Sequence, residues 1–308
     1  MYKSKIIFLI YALIGIFALA GCSAEKESNG KLKIVATTTM LYDLGLNIGG
    51  NHVEVKALMS PGIDPHLFKA SAGDVNLMQE ADIVIYNGLH LEGKMADVFE
   101  ALSKGGHSVI CIEDGIDSSK LLTSEDEGSV YDPHIWFDVD LWKDAAKHVA
   151  GELSKIDEKN AGDYEKNLES YLKKLDALDA YIKERTSEIG EEQRVLVTAH
   201  DAFRYFARAY GYEVKGLQGI STEAEAGTAD VKSLADFIYE RKIKAVFVES
   251  SVPAKTIEAL KAAVDSRGFV TEIGGELYSD SLGDEKSGTE TYILTFRANI
   301  DTIVNALK

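Results

Sequence analysis

Short apolar runs alternate with helical stretches along the chain, and this alternation constrains the fold more than any other feature of the sequence. Runs of four to eight residues rich in Val and Ile are typical of strands buried on both faces. In the first half the pattern predicts strands at 33–37, 52–59, 83–87 and 108–112, with helices at 41–48, 72–79 and 95–103. In the second half it predicts strands at 195–198, 213–217, 245–249 and 270–273, with helices at 202–210, 229–242, 255–267 and 289–307. We therefore expect an α/β protein with a mostly parallel sheet in each half.

A long amphipathic helix is predicted between the two halves. No Gly or Pro interrupts residues 163–189. The apolar positions follow a 4-3-4-3-4 spacing through Tyr164, Leu168, Tyr171, Leu175, Leu178 and Ile182. About three heptads also fit a coiled-coil dimer, but we favour one rigid backbone helix that packs along both lobes of a monomer. The predicted division is an N-terminal α/β lobe at 31–157, the linking helix at 158–188 and a C-terminal α/β lobe at 189–308.

The N-terminus has the features of an export signal. Lys3 and Lys5 precede a largely apolar run, and Leu19–Cys22 ends that run with small residues before a cysteine. This order resembles a lipobox, in which residues 1–21 are removed and Cys22 is lipidated at the start of a 22–30 tether. An uncleaved anchor is the alternative, although the run is shorter than the ~20 residues of a spanning helix. We expect an exported protein, lipid-anchored at the outer face of a bacterial cell membrane.

Charge and cysteine content exclude some classes of protein. Without Lys3 and Lys5 the 33 basic residues become 31, which against 50 acidic residues leaves a formal net charge of -19. Nucleic-acid binding requires a basic surface, so we expect no nucleic-acid partner. The chain has two cysteines, so lipidation of Cys22 leaves Cys111 without a disulfide partner. Cys111 lies in a strand-like run and is interpreted as a core thiol, with a thiolate metal ligand as the alternative.

Two copies of the tripeptide Asp-Pro-His point to metal binding. They are Asp64–His66 and Asp132–His134, each in a turn-rich segment where proline stiffens the backbone before the imidazole. His200 ends the first strand of the second half, and Asp280 follows a Gly-Gly pair and another strand. Three imidazoles and a carboxylate suit a divalent first-row metal. Because loops at the carboxyl ends of strands collect ligands, we predict that His66, His134, His200 and Asp280 bind one metal between the lobes.

Other side chains could take part in the site or indicate a different function. His90 is close enough in type to be a competing ligand, and Asp201 is expected to cap the following helix and to accept an imidazole N–H. A metal-dependent hydrolase would use Glu249 or Glu223 as a general base. Four protein ligands, and the absence of a His-Glu-x-x-His motif from the sequence, argue against an enzyme. An exposed lipoprotein could also act as an adhesin, which would bind its partner without metal.

Taken together, these segments resemble the metal-binding lipoproteins that serve manganese- and zinc-type ABC importers. The resemblance covers residues 31–308, and its markers in chain order are Gly62–His66, Asn87–Glu92, Asp132–Trp136, Thr198–Phe203, Phe247–Ser251 and Leu277–Asp280. It implies two α/β lobes joined by a long helix, with His66, His134, His200 and Asp280 as ligands. The implied partners are an ABC permease and its ATPase subunit.

The choice of metal rests on chemistry and on the same resemblance. Manganese-type members often have Glu at the position of His200, whereas zinc-type members usually have a long loop rich in His and Asp in the first lobe. Here the corresponding residues 116–128 include four acidic residues and no histidine. Three imidazoles favour zinc over manganese at equilibrium. We expect manganese as the transported cargo, with zinc close behind and iron third.

Overall fold

The computed structural model describes residues 30–124 and 130–308, and the first half of this range is a parallel sheet with helices. Its strands are Leu32–Ala36 (β1), Val53–Ala57 (β2), Ile83–Tyr86 (β3) and Ser108–Cys111 (β4), and its first helices are Thr39–Gly49 (α1), Ala72–Gln79 (α2) and Ala96–Lys104 (α3). Among the described residues the strand order is β2-β1-β3-β4, and every pairing in it is parallel. The carboxyl ends of these strands therefore lie along one edge of the sheet.

Local sequence signals explain where these elements start. The Thr38 hydroxyl accepts a hydrogen bond from the Leu41 backbone N–H and so caps α1. Helix α2 begins with a capping box, in which Ser71 and Asp74 each accept a hydrogen bond from the backbone N–H of the other. Both caps satisfy N–H groups that have no partner within the helix. Strand β3 is buried at three of its four residues, as a strand covered on both faces should be.

Two helices connect the halves. The first is Val139–Ile156 (α4), and the second is Ala161–Thr186 (α5), a helix of 26 residues and therefore about 39 Å long. The apolar stripe of α5 is buried, and α5 contacts α1 and α4 on the N-terminal side of the chain. It also contacts the C-terminal helix, Tyr292–Leu307. The stripe is thus buried within a single chain, which is the arrangement we favoured over a coiled-coil dimer.

The second half repeats the parallel scheme. Its strands are Val195–His200 (β5), Glu213–Gln218 (β6), Ala245–Glu249 (β7) and Glu272–Leu277 (β8), and its helices are Arg204–Tyr210 (α6), Thr228–Arg241 (α7), Lys255–Asp265 (α8) and Tyr292–Leu307 (α9). Strand β5 pairs with β6 and β7 pairs with β8, both in parallel, and β5 also contacts β7. The predicted fold class, two α/β lobes with parallel sheets joined by one long helix, is confirmed.

The structure corrects three details of the prediction. Helix α4 had no predicted bounds, although Asp138 caps it by accepting the Asp140 backbone N–H. Asp201 is not an N-cap, because α6 begins only at Arg204. Strand β8 continues through Gly274 to Leu277, where the Gly-Gly pair had suggested a strand end. At Gly274 a Cβ would lie 2.7 Å from the side chain of Ala306 in α9, so glycine allows the close approach of that helix.

The proposed lobe boundaries remain a prediction. The predicted linker at 158–188 contains α5, and residues Leu32–Lys308 pack as one compact unit. The predicted signal peptide at 1–21, the lipidation at Cys22 and the tether up to residue 29 lie outside the described residues. Within residues 30–124 and 130–308, the helices are too short or too polar to cross a membrane.

Candidate metal centre

Four buried side chains from both halves of the chain meet at one point. Within the described part of the chain, His66, His134, His200 and Asp280 form the one group of three or more potential metal-ligating residues, with ligand atoms all within 4.8 Å of one another. Each side chain is at most 4 % exposed. His200 is the last residue of β5, and the others lie in loops that follow β2, β4 and β8. We call this group the His3Asp cluster.

The spacing of the ligand atoms is short enough for all four residues to bind one metal ion. The Nε2 atom of His134 lies 3.3 Å from Nε2 of His66 and 3.3 Å from Nε2 of His200. Asp280 places one carboxylate oxygen 3.4 Å from Nε2 of His134 and the other 3.3 Å from Nε2 of His200. A tetrahedron with centre-to-corner distances of about 2.0–2.1 Å, as for zinc with nitrogen and oxygen ligands, has edges of about 3.3–3.4 Å. Asp280 lies farther from His66, at 3.9 Å, and it faces His134 and His200 with different oxygens, so the four residues surround one ion-sized space without defining a regular tetrahedron.

The His134 ring is oriented by the aspartate of its own Asp-Pro-His motif. Asp132 Oδ1 accepts hydrogen bonds from the His134 backbone N–H at 3.0 Å and from Nδ1 at 2.7 Å. A proton on Nδ1 leaves the Nε2 lone pair of a neutral ring pointing into the cluster. Burial lowers the pKa of His134, but Asp132 and Asp280 outweigh it and raise the pKa to about 9 in the metal-free protein.

A glutamate from a neighbouring strand holds the His200 ring in the same way. Glu249, the last residue of β7, accepts the His200 backbone N–H at 2.9 Å with Oε1 and the Nδ1–H at 2.6 Å with Oε2. Burial lowers the pKa of His200, but the carboxylates of Asp280 and Glu249 outweigh it and raise that pKa well above its usual value. Asp201, which we had expected to accept an imidazole N–H, is not the partner of His200 Nδ1.

His66 has a different electrostatic environment. Asp64 accepts the backbone N–H of His66 at 2.9 Å and therefore fixes the loop rather than the ring. Burial is the largest influence on His66, and the neighbouring imidazoles add to it. Together they outweigh Asp280 and lower the His66 pKa to about 3. This ring is therefore neutral at pH 7 and keeps a lone pair for a metal ion.

Asp280 supplies the negative charge of the cluster. Both of its carboxylate oxygens are buried and accept no hydrogen bond from any described residue. Burial raises its pKa, but His200 and His134 outweigh burial and hold the pKa well below the usual range. A buried anion without hydrogen-bond donors is unfavourable unless a cation is close to it. In the metal-free protein the protonated rings of His134 and His200 are that cation. A divalent metal ion would take the place of their protons, so the donor set fits such an ion.

The structure separates the competing residues from this cluster. His90 is exposed, and Cys111 has a pKa raised by burial to about 11, so its thiol stays protonated at neutral pH. Neither belongs to the cluster. Glu223 is exposed and pairs with Lys94, whereas Glu249 uses both oxygens on His200. These contacts give neither glutamate the position of a general base.

Sequence reasoning named Asp132 and Glu249 but did not predict that they orient the imidazoles of the site. Asp132 had a signal, because in both copies of Asp-Pro-His the aspartate accepts the backbone N–H two residues later. That local turn could have been predicted from the repeated motif. Glu249 had a weaker signal, namely an acidic residue at the carboxyl end of a buried strand.

A buried metal-type cluster between two α/β lobes defines the class of solute-binding receptors rather than a class of enzymes. The model of the family described as "Zinc-uptake complex component A periplasmic", ZnuA, matches residues 34–306. This chain belongs to the ZnuA family, whose members are substrate-binding receptors of ABC transporters.

Two relatives, one zinc-binding and one manganese-binding, align with nearly the whole chain. The chain is 45 % identical to the zinc-binding protein TroA of Treponema pallidum over 309 residues, which is 100 % of this chain and 99 % of the relative. It is 45 % identical to the manganese-binding lipoprotein MntA of Bacillus subtilis over 299 residues, 96 % of this chain and 97 % of the relative. The solved structure of periplasmic TroA from Treponema pallidum superposes with a TM-score of 0.86 at 48 % identity, covering 90 % of this chain and 99 % of that one.

Proposed function

We propose that this protein captures one manganese or zinc ion in the His3Asp cluster between its lobes and delivers it to an ABC importer. The observation that carries the proposal is the convergence of three buried imidazoles on the buried Asp280 carboxylate, with all four ligand atoms within 4.8 Å of one another. Family membership supplies the transport role, and the relatives named above bind zinc in one case and manganese in the other. The proposed ligands are His66, His134, His200 and Asp280.

The donor set favours zinc when the two metals compete at equal concentration. Three imidazoles and only four protein ligands suit zinc, whereas manganese prefers more oxygen ligands and six-coordination. A manganese cargo would then depend on the supply of metal outside the cell rather than on intrinsic affinity. Iron is the third candidate, because it stands next to manganese at the weak end of the divalent affinity order.

The proposal extends to the partners and the location of the protein. The ion would pass to a permease whose ATPase subunit provides the energy for import. Lipid on Cys22 would hold the receptor, as a monomer, at the outer face of the cell membrane. Tethering would raise its effective concentration at the permease. The lipoprotein names of several relatives support this arrangement.

A competitive metal titration tests the proposal. Protein lacking residues 1–22 is titrated with zinc and with manganese by calorimetry, and stoichiometry is measured by elemental analysis. We expect one tight equivalent in the wild type and its loss in His66→Ala and His134→Ala, because each removes one of four ligands. His107→Ala, outside the cluster, is the matched control and should bind as the wild type does. Retention of one equivalent by either ligand variant after dialysis would refute the site.

A further inference from the structure

A second group of polar contacts joins the two halves of the chain beside the metal centre. The loop between β6 and α7, residues 219–227, reaches the N-terminal lobe. Thr222 donates its hydroxyl to Asp64 Oδ2 at 2.6 Å, and Glu223 forms an ion pair with Lys94 at 3.2 Å. Thr222 is 7 % exposed, so its hydrogen bond is shielded from water. Glu223 and Lys94 are more exposed, and their pair is correspondingly weaker.

Asp64 connects this loop directly to a proposed metal ligand. Its Oδ2 accepts the Thr222 hydroxyl, while its Oδ1 accepts the backbone N–H of His66 at 2.9 Å. Pro65 lies between the two residues and restricts the backbone, so Asp64 and His66 are expected to move together. A residue of the C-terminal lobe therefore fixes the loop that carries His66, through one carboxylate.

A second contact with the C-terminal lobe holds the same loop two residues before Asp64. The Gly62 backbone N–H donates to Ser281 Oγ at 2.9 Å, and Ser281 is the neighbour of Asp280. Gly62 has a φ of +80°, a conformation that favours glycine and aims its N–H across the cleft. The segment just before His66 is thus attached to the opposite lobe at two points, Gly62 and Asp64. These contacts can form only while the lobes are closed.

We propose that Thr222, acting through Asp64, is a positioning residue that keeps the His66 loop closed on the metal and so sets the rate of release. The inference rests on the proposed function. Release requires the His66 loop to part from the C-terminal lobe, which breaks the Thr222–Asp64 hydrogen bond. In this proposal the metal enters while the loop is open, before that bond forms. Loss of the hydroxyl should therefore raise the dissociation rate constant and leave the association rate constant nearly unchanged.

Zinc release measured by stopped flow tests this proposal. Zinc-loaded protein is mixed with excess chelator, under conditions in which the rate does not depend on chelator concentration. We expect Thr222→Val to release zinc at least about tenfold faster, because a hydrogen bond to an ionised group contributes a factor of that order. Thr222→Ser keeps a hydroxyl and should release zinc close to the wild-type rate. Thr256→Val is the matched control, since that hydroxyl bonds only within its own lobe, to the Pro253 carbonyl.

A substitution in the Glu223–Lys94 ion pair gives a second test, with a smaller expected effect on the release rate. Glu223→Gln should raise the release rate by roughly two- to threefold at low ionic strength and by less in salt, as exposed ion pairs do. Glu225→Gln, which removes a charge from the same loop, is its control and should have no such effect. Among the described residues Glu225 has no ion-pair partner in the N-terminal lobe.

Each outcome decides a different point. If the wild type binds no zinc, the proposed function fails and the inference fails with it. If the wild type binds zinc but Thr222→Val releases it at the wild-type rate, the inference alone is wrong. The absorption spectrum of the cobalt(II)-loaded variant reports the geometry of the ligands. A changed spectrum would show that Thr222 is needed to build the site rather than to keep it closed, which would also overturn the inference.

Discussion

Glu249 is the residue whose replacement best tests the physical account of the metal centre, and Glu249→Gln is the most conservative change. The carboxylate accepts two N–H groups of His200, one from the backbone at 2.9 Å and one from Nδ1 at 2.6 Å. An amide has the same shape but only one acceptor oxygen. In the variant either the backbone N–H or the ring N–H must therefore face an NH2 group.

The expected loss follows from this geometry. Carboxylate partners of metal-bound imidazoles contribute about 10- to 100-fold in metal affinity, which corresponds to roughly 1.4–2.7 kcal/mol. Glu249 is 3 % exposed, so water cannot replace the lost acceptor. We expect the larger part of that range, because Gln removes both the negative charge and one hydrogen bond.

Zinc affinity is measured by competition with a chromophoric chelator at pH 7. Glu276→Gln is the matched control, because Glu276 is an exposed residue of β8, the strand paired with β7. It removes the same charge without touching His200. Zinc affinity within threefold of the wild type in Glu249→Gln, with the control also unchanged, would refute the conclusion that Glu249 sets the tautomer of His200. Circular dichroism of both variants checks that the fold is retained.

Three further expectations concern pH, metal choice and stability. The pKa of His134 is about 9 and that of His200 is well above its usual value in the metal-free protein, so zinc must displace protons from both. Zinc affinity should rise with pH between 6 and 8, by up to about 100-fold per unit for two protons; a pH-independent affinity would contradict this. His200→Glu should shift the zinc-to-manganese affinity ratio towards manganese, and an unchanged ratio would mean that geometry rather than ligand type sets selectivity. Burial raises the pKa of Asp43 to about 6 although the Tyr292 backbone N–H donates to it, so its contribution to stability falls as pH rises from about 4 to 6. The wild type should therefore lose roughly 2–3 kcal/mol of unfolding free energy over this pH range through Asp43, and Asp43→Asn should not. Urea unfolding of both proteins at pH 4.5 and pH 7 measures this difference. An equal effect of the substitution at the two pH values would contradict the account.

Local sequence was sufficient to predict the elements of the fold. Helix α2 occupies the predicted residues 72–79, and β7 occupies the predicted 245–249. Helix α2 is marked by its capping box and β7 by a continuous apolar run followed by serines, so their limits depend on nearby positions alone. Strand β8 was harder, because its Gly-Gly pair resembles a turn unless the close packing of α9 is known.

The sequence also determined which side chains are candidates for the metal site. Residue chemistry and placement at strand ends were enough to name His66, His134, His200 and Asp280, and the structure brings them together. The carboxylates that orient these rings are of two kinds, one near its histidine in the sequence and one far from it. Asp132 is two residues from His134, so the turn of the Asp-Pro-His motif already places it near the ring. Glu249 is 49 residues from His200 and no local pattern joins them.

Only the tertiary structure decided that Glu249, rather than Asp201, orients His200. Strands β5 and β7 are in contact, and each ends with one of the two residues, so the meeting of these two strand ends puts the carboxylate beside the imidazole. The order of strands in a sheet depends on how helices pack over its faces, which is a property of the whole chain. The contact of Thr222 with Asp64, across 158 residues, has the same origin. Sequence spacing fixes which groups can bind a metal, whereas long-range packing fixes which neighbours orient them.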